Sequence, residues 1–128
     1  MTTIDAVKYH HGNGAASEED AAWHIGVFLL WCGERGLLAA SRALEKVRKN
    51  PTRYVLKNCS GKLWSQDLSP KGAEFALHAY GNYLNEVSDI AIHQDVSPYR
   101  LRVLARSEEV KGWLFEYLDG VYNARGTT

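Results

Sequence analysis

Ser17-Glu18-Glu19-Asp20-Ala21-Ala22-Trp23-His24-Ile25-Gly26-Val27-Phe28-Leu29-Leu30-Trp31-Cys32 is the stretch on which the architecture turns. A serine ahead of three acidic residues is a helix start. Its hydroxyl can accept from a free backbone N–H, and the carboxylates oppose the positive end of the helix dipole. Asp20, at the third helical position, is a weak capping-box partner. From Trp23 to Cys32 apolar side chains lie nearly all round the helix, which places it in the middle of a core. Gly36 predicts a left-handed stop just after Arg35. Gly26 and Gly33 each cost about 1 kcal/mol relative to Ala in an open helix, and their presence predicts close approach of a neighbouring helix.

Before this helix, residues 1–16 contain Gly12-Asn13-Gly14-Ala15-Ala16 and few long apolar side chains, and they read as an N-terminal arm. After it, Leu37 to Lys49 reads as a more polar helix with Leu44 and Val47 inward. Asn50-Pro51 is a cap followed by a first-position proline. Pro51–Asn58 is then a short helix, although Tyr54-Val55-Leu56 suits a strand equally well. Lys62–Leu68 reads as a connector carrying Trp64. Ser69-Pro70 repeats the start signal, and Ala73, Ala76, Leu77, Tyr80, Leu84 and Val87 follow as a core stripe. Residues 88–106 read as irregular or edge-like. Ser107-Glu108-Glu109 starts the last helix, with Val110, Trp113, Leu114, Tyr117, Leu118 and Val121 on one face. The expectation is a mostly α, compact single-domain helical bundle of four to six helices over residues 17–123, with 124–128 frayed.

The chain has 128 residues, the size of one domain. It carries 15 Lys+Arg against 15 Asp+Glu, which disfavours a dedicated nucleic-acid binder. It shows no transmembrane run and no signal-peptide pattern, and Cys32 and Cys59 make no disulfide framework, so a cytoplasmic location is expected. The neutrality is a cancellation. Residues 1–64 hold nine basic and six acidic side chains, and residues 65–128 hold six basic and nine acidic. Within 42–62, Arg42, Lys46, Arg48, Lys49, Arg53, Lys57 and Lys62 face Glu45 alone, whereas 67–95 is acidic. Solvated helix faces account for such runs as well as a partner surface does; the latter would orient a complementary protein.

Chemistry is sparse. His10-His11, His24, His78 and His93 form no i, i+4 pair and no His-Glu-x-x-His motif, so no metal site and no cofactor are expected. His24, in the most apolar helix, reads first as a structural hydrogen-bonding residue. Cys59 sits beside Lys57 and Lys62, which could lower its pKa, but lacks a histidine base in sequence. No nucleophile elbow, phosphate loop or dinucleotide fingerprint is present. The chain is therefore not expected to be an enzyme, and no catalytic residue is assigned.

The run Ala21-Ala22-Trp23-His24-Ile25-Gly26-Val27-Phe28-Leu29-Leu30-Trp31-Cys32 with Arg35-Gly36-Leu37-Leu38 resembles a family of small bacterial cytoplasmic proteins marked by a His-Ile-Gly-x-Phe-Leu-x-Trp helix. Gly72-Ala73-Glu74-Phe75-Ala76 through Tyr80 and Tyr83-Leu84 is similar to that family's second signature, although Asn85-Glu86 stands where acidic residues are expected. Proteins of this look are often encoded beside secreted toxins as their immunity proteins. The resemblance implies a protein that binds a cognate toxin and blocks its active site; the balanced charge and the lack of an apolar run lead to the expectation of neither nucleic acid nor membrane as partner. The docking surface is expected among Trp64, Asp67, Glu74, Glu86, Asp89, Asp95 and Tyr99. The alternatives are an adaptor or chaperone for a secreted effector, and a small enzyme using His24 or His78 with a carboxylate from another helix.

Overall fold

A computed structural model describes residues 2–11 and 13–126. Strand β1 (Thr3–Ala6) leads into the short helix α1 (Val7–His11). Then come α2 (Glu18–Glu34), α3 (Leu44–Lys49), α4 (Pro51–Asn58), strand β2 (Lys62–Trp64), a 3-10 turn at Ser65–Asp67, α5 (Pro70–His93), a second 3-10 turn at Pro98–Val103 and α6 (Ser107–Gly126). The domain is mostly α, as expected, with a two-stranded antiparallel sheet among the described residues.

Helix α2 is the axis of the core. Ser17 Oγ accepts from the Asp20 N–H at 3.1 Å, and Gly36 stops the helix at φ +73°. Every residue from His24 to Gly33 is buried. A Cβ at Gly26 would lie 2.9 Å from the backbone of Pro51 and Thr52, so glycine is what lets α4 cross there. At Gly33 a Cβ would lie 2.5 Å from Leu44 Cδ1. Phe28, Trp31, Phe75, Tyr80, Tyr83 and Tyr122 form an aromatic cluster joining α2 to α5 and α6, largely edge-on or tilted.

Several expectations are corrected. The polar helix starts at Leu44 rather than Leu37; residues 37–39 run extended beside residues 67–69, with Leu38 bridged to Leu68 and the Ala39 N–H bonded to the Asp67 carbonyl. Of the two readings open for Pro51–Asn58, the helix is the one formed, capped by Asn50 Oδ1 accepting from the Arg53 N–H. On α5 the buried face runs through Phe75, Ala76, Ala79, Tyr80, Tyr83, Val87 and Ile90, and Leu77 points outward, 59% exposed. Helix α5 continues to His93, so only residues beyond it are irregular. Helix α6 persists through Ala124 and Arg125, where fraying was expected; residues 127–128 lie outside the described residues.

The largest correction is at the N-terminus. In place of an arm, Thr3 pairs with Trp64, Asp5 with Leu63 and Ala6 with Lys62, with a register irregularity between Thr3 and Asp5. A bulge of this kind re-aims side chains. Here Asp5 and Ala6, neighbours in sequence, are both buried.

Candidate functional site

The sheet and helix α1 carry two polar side chains onto α2. His10, on α1, places Nε2 2.7 Å from Asp5 Oδ1. His24, at the start of the apolar run of α2, places Nε2 3.1 Å from Asp5 Oδ2 and 3.2 Å from His10 Nε2. Tyr80 of α5 donates its hydroxyl to Asp5 Oδ2 at 2.6 Å, and the Ala6 N–H donates to Oδ1 at 2.8 Å. On the far side of His10, Nδ1 lies 2.9 Å from Tyr99 Oη, on the second 3-10 turn. One ligand atom from each of Asp5, His10 and His24 falls within 4.8 Å of the others. A cavity of about 210 Å³ opens beside the two rings, bordered by Leu84, Val87, Ser88 and Tyr99.

The electrostatics are those of a buried anion held by converging donors. Burial pushes the Asp5 carboxyl up, but hydrogen bonds from His10, His24 and Tyr80 outweigh it and hold the group well below the carboxylate range. Burial pushes His24 down more than Asp5 pulls it up, so the ring favours its neutral form. Burial and then the Asp5 charge push Tyr80 well above the usual phenol range, so it remains a donor. A carboxylate facing two imidazoles can lock the N-terminal segment to the core, relay a proton or hold a cation.

The seven residues expected at a partner surface are dispersed. Asp67 is fully buried: it accepts from Arg42 Nε at 2.9 Å and from the Trp64 N–H at 2.9 Å, so its carboxylate braces the connector and is closed to a partner. Trp64 is half-buried in β2 under Lys62, whose Nζ lies 4.7 Å from the ring centroid. Tyr99 belongs to the His10 cluster. Glu86 is half-buried on the flank of α5 near Tyr117. Glu74 and Asp89 share the outward face of α5 with Leu77 and Ile92, and Asp95 follows just past the helix end at φ +58°. His78 is exposed on that same face. Burial, and then Asp67, push the Cys59 thiol up to about 11, opposite to the lowering expected from its lysine neighbours.

Asp5 and His10 escaped the sequence reading because motif spacing finds donors on one helix, whereas these sit on three elements. One signal was available. A histidine inside an apolar helix needs a polar partner, and Asp5 is the one carboxylate in the first sixteen residues.

No curated protein and no solved structure matches the chain. Residues 3–103 match a family described as a domain of unknown function, DUF7832. The match runs from β1 through the second 3-10 turn and so takes in Asp5, His10, His24, Tyr80 and Tyr99, leaving α6 outside. The chain belongs to the DUF7832 family.

Proposed function

We propose that this domain is a stoichiometric binding protein of the immunity type, which seats a cognate toxin on the outward face of α5 and blocks the toxin's active site. The observation that carries the reading is the make-up of that face. Glu74, Gly81, Asn85 and Ile92 lie within roughly 40° of one direction on a helix of 3.6 residues per turn, with Leu77 and Asp89 flanking them. Ile92 is 72% exposed and Leu77 59%. Asp89 and Asp95 are exposed, and no ion pair engages them among the described residues. Apolar anchors beside the exposed carboxylates of Asp89 and Asp95, with Glu74 paired to Arg125 at 3.5 Å, suit a protein partner with a basic surface, and the charges would speed and orient encounter.

The resemblance of the α2 and α5 signatures to immunity-type proteins supports the same reading. Their apolar residues are largely committed to the core, with Leu77 the main exception. Partner choice would then be written in surface charge.

Co-expression with the product of the neighbouring gene tests the function: cells should survive, and the two purified chains should form a 1:1 complex. The surface is tested by Ile92→Asp and Asp89→Lys, each expected to weaken the complex at least tenfold. Unchanged affinity in both variants would move the surface elsewhere. Absence of both rescue and complex would remove the immunity reading.

A further inference from the structure

We infer that Asp5, His10 and His24 form a three-ligand site for a divalent first-row metal ion, best matched by Zn²⁺, with an open coordination position facing the neighbouring cavity. The inference is independent of the docking face on α5.

Two of the three separations are those of donors around one ion, and the third, His10 Nε2 to Asp5 Oδ1, would need to lengthen by about 0.2 Å. The two Nε2 atoms are 3.2 Å apart, and they lie 2.7 and 3.1 Å from the Asp5 oxygens. An ion about 2.0–2.2 Å from each donor sets donor–donor edges of about 2.9 Å at right angles and about 3.3 Å at the tetrahedral angle. The carboxylate faces both rings, one oxygen toward each.

Proton counting points the same way. A proton on one Nε2 satisfies that ring's contact with Asp5. Protons on both set two N–H dipoles against each other across 3.2 Å. A divalent cation accepts all three lone pairs at once and removes the conflict.

The surroundings are those of a supported ligand set. His10 uses its other nitrogen on Tyr99 Oη, which fixes ring orientation, and Asp5 is held by Tyr80 and the Ala6 N–H. Two imidazoles and a carboxylate suit zinc and its neighbours, and three protein ligands leave a position for water or a small ligand. The cavity of about 210 Å³ beside the rings supplies the room. Because the ligands come from β1, α1 and α2, an ion here would fasten the N-terminal segment to the core helix.

The test is titration of ZnCl₂ into the untagged, chelator-stripped full chain near neutral pH. The expected result is 1:1 binding with a submicromolar Kd. At a hundredfold excess over Kd, Tm should rise by several degrees. His10→Gln should weaken binding at least a hundredfold, and Tyr99→Phe roughly tenfold. His78→Gln should have no effect. Histidine side-chain NMR of the wild type supplies a readout that does not depend on a variant folding: the imidazole nitrogens of His10 and His24 should shift with Zn²⁺. Failure to reach saturation, an affinity unchanged by His10→Gln in folded protein, or shifts confined to His11, His78 and His93 would overturn the site. Preference for Mn²⁺ over Zn²⁺ would overturn the choice of ion.

Discussion

Replacing Asp5 with Asn tests whether the buried carboxylate holds the N-terminal segment to the core. The two residues have nearly the same shape, so the change isolates charge and acceptor count. In the native protein four groups converge on Asp5: His10 Nε2 at 2.7 Å, His24 Nε2 at 3.1 Å, the Tyr80 hydroxyl at 2.6 Å and the Ala6 N–H at 2.8 Å. An amide turned one way faces its NH₂ toward the Ala6 N–H; turned the other way, it faces the Tyr80 hydroxyl. Either orientation disturbs a buried donor, at a cost of about 1–3 kcal/mol, and the remaining bonds lose their charge-assisted character, for a further ~1 kcal/mol. The expected loss is about 2–4 kcal/mol, or roughly 8–15 °C in Tm for a domain of this size. Urea unfolding followed by tryptophan fluorescence measures it, with Asp89→Asn as the exposed control expected within about 0.5 kcal/mol of wild type. An Asp5→Asn protein as stable as that control would refute the reasoning.

Acid stability should show the same cluster. Both Asp5 and His24 have depressed pKa values in the folded protein, so each contributes stability at higher pH and loses it as pH falls. The His24 contribution should fade below about 6.5 and that of Asp5 below about 3.9, their unfolded values; a wild-type stability flat from pH 7 down to 3 would contradict this. Two glycine substitutions should differ in sign. Gly81→Ala, with open space around its Cβ, should add about 0.5–1 kcal/mol. Gly26→Ala meets the α4 backbone at 2.9 Å and should cost about 1–2 kcal/mol net; equal midpoints in denaturant would refute the packing argument. Cys59, with its thiol pushed up to about 11, should resist iodoacetamide at neutral pH until the protein unfolds. Mass spectrometry reads the adduct, and rapid native labelling would contradict the placement.

What was legible in the sequence was local. Ser17, Asn50 and Ser69 each announce the helix that follows, because capping is a contact between a side chain and a backbone N–H two or three residues away. The all-round apolar character of Trp23–Cys32 identified the core axis for the same reason: periodicity is a property of one helix. Gly26 foretold a close crossing, though not that Pro51 and Thr52 would make it.

Helix phase was less secure. Leu77 fits a stripe with Ala73, Tyr80 and Leu84 by spacing alone. The structure rotates α5 so that Phe75, Tyr80 and Tyr83 face α2, because the large aromatic rings bury more area there than a leucine would. Residues 1–16 looked like an arm because a four-residue strand has no stability without its partner, and that partner lies some sixty residues away at Lys62–Trp64. The candidate site depends entirely on that pairing. By itself the sequence determined the longer helices, the caps at which most of them start, and that α2 runs through the core. Only the tertiary structure decided that Asp5 and His10 would meet His24, because no local rule relates a strand, a short helix and a core helix until burial brings their polar atoms together.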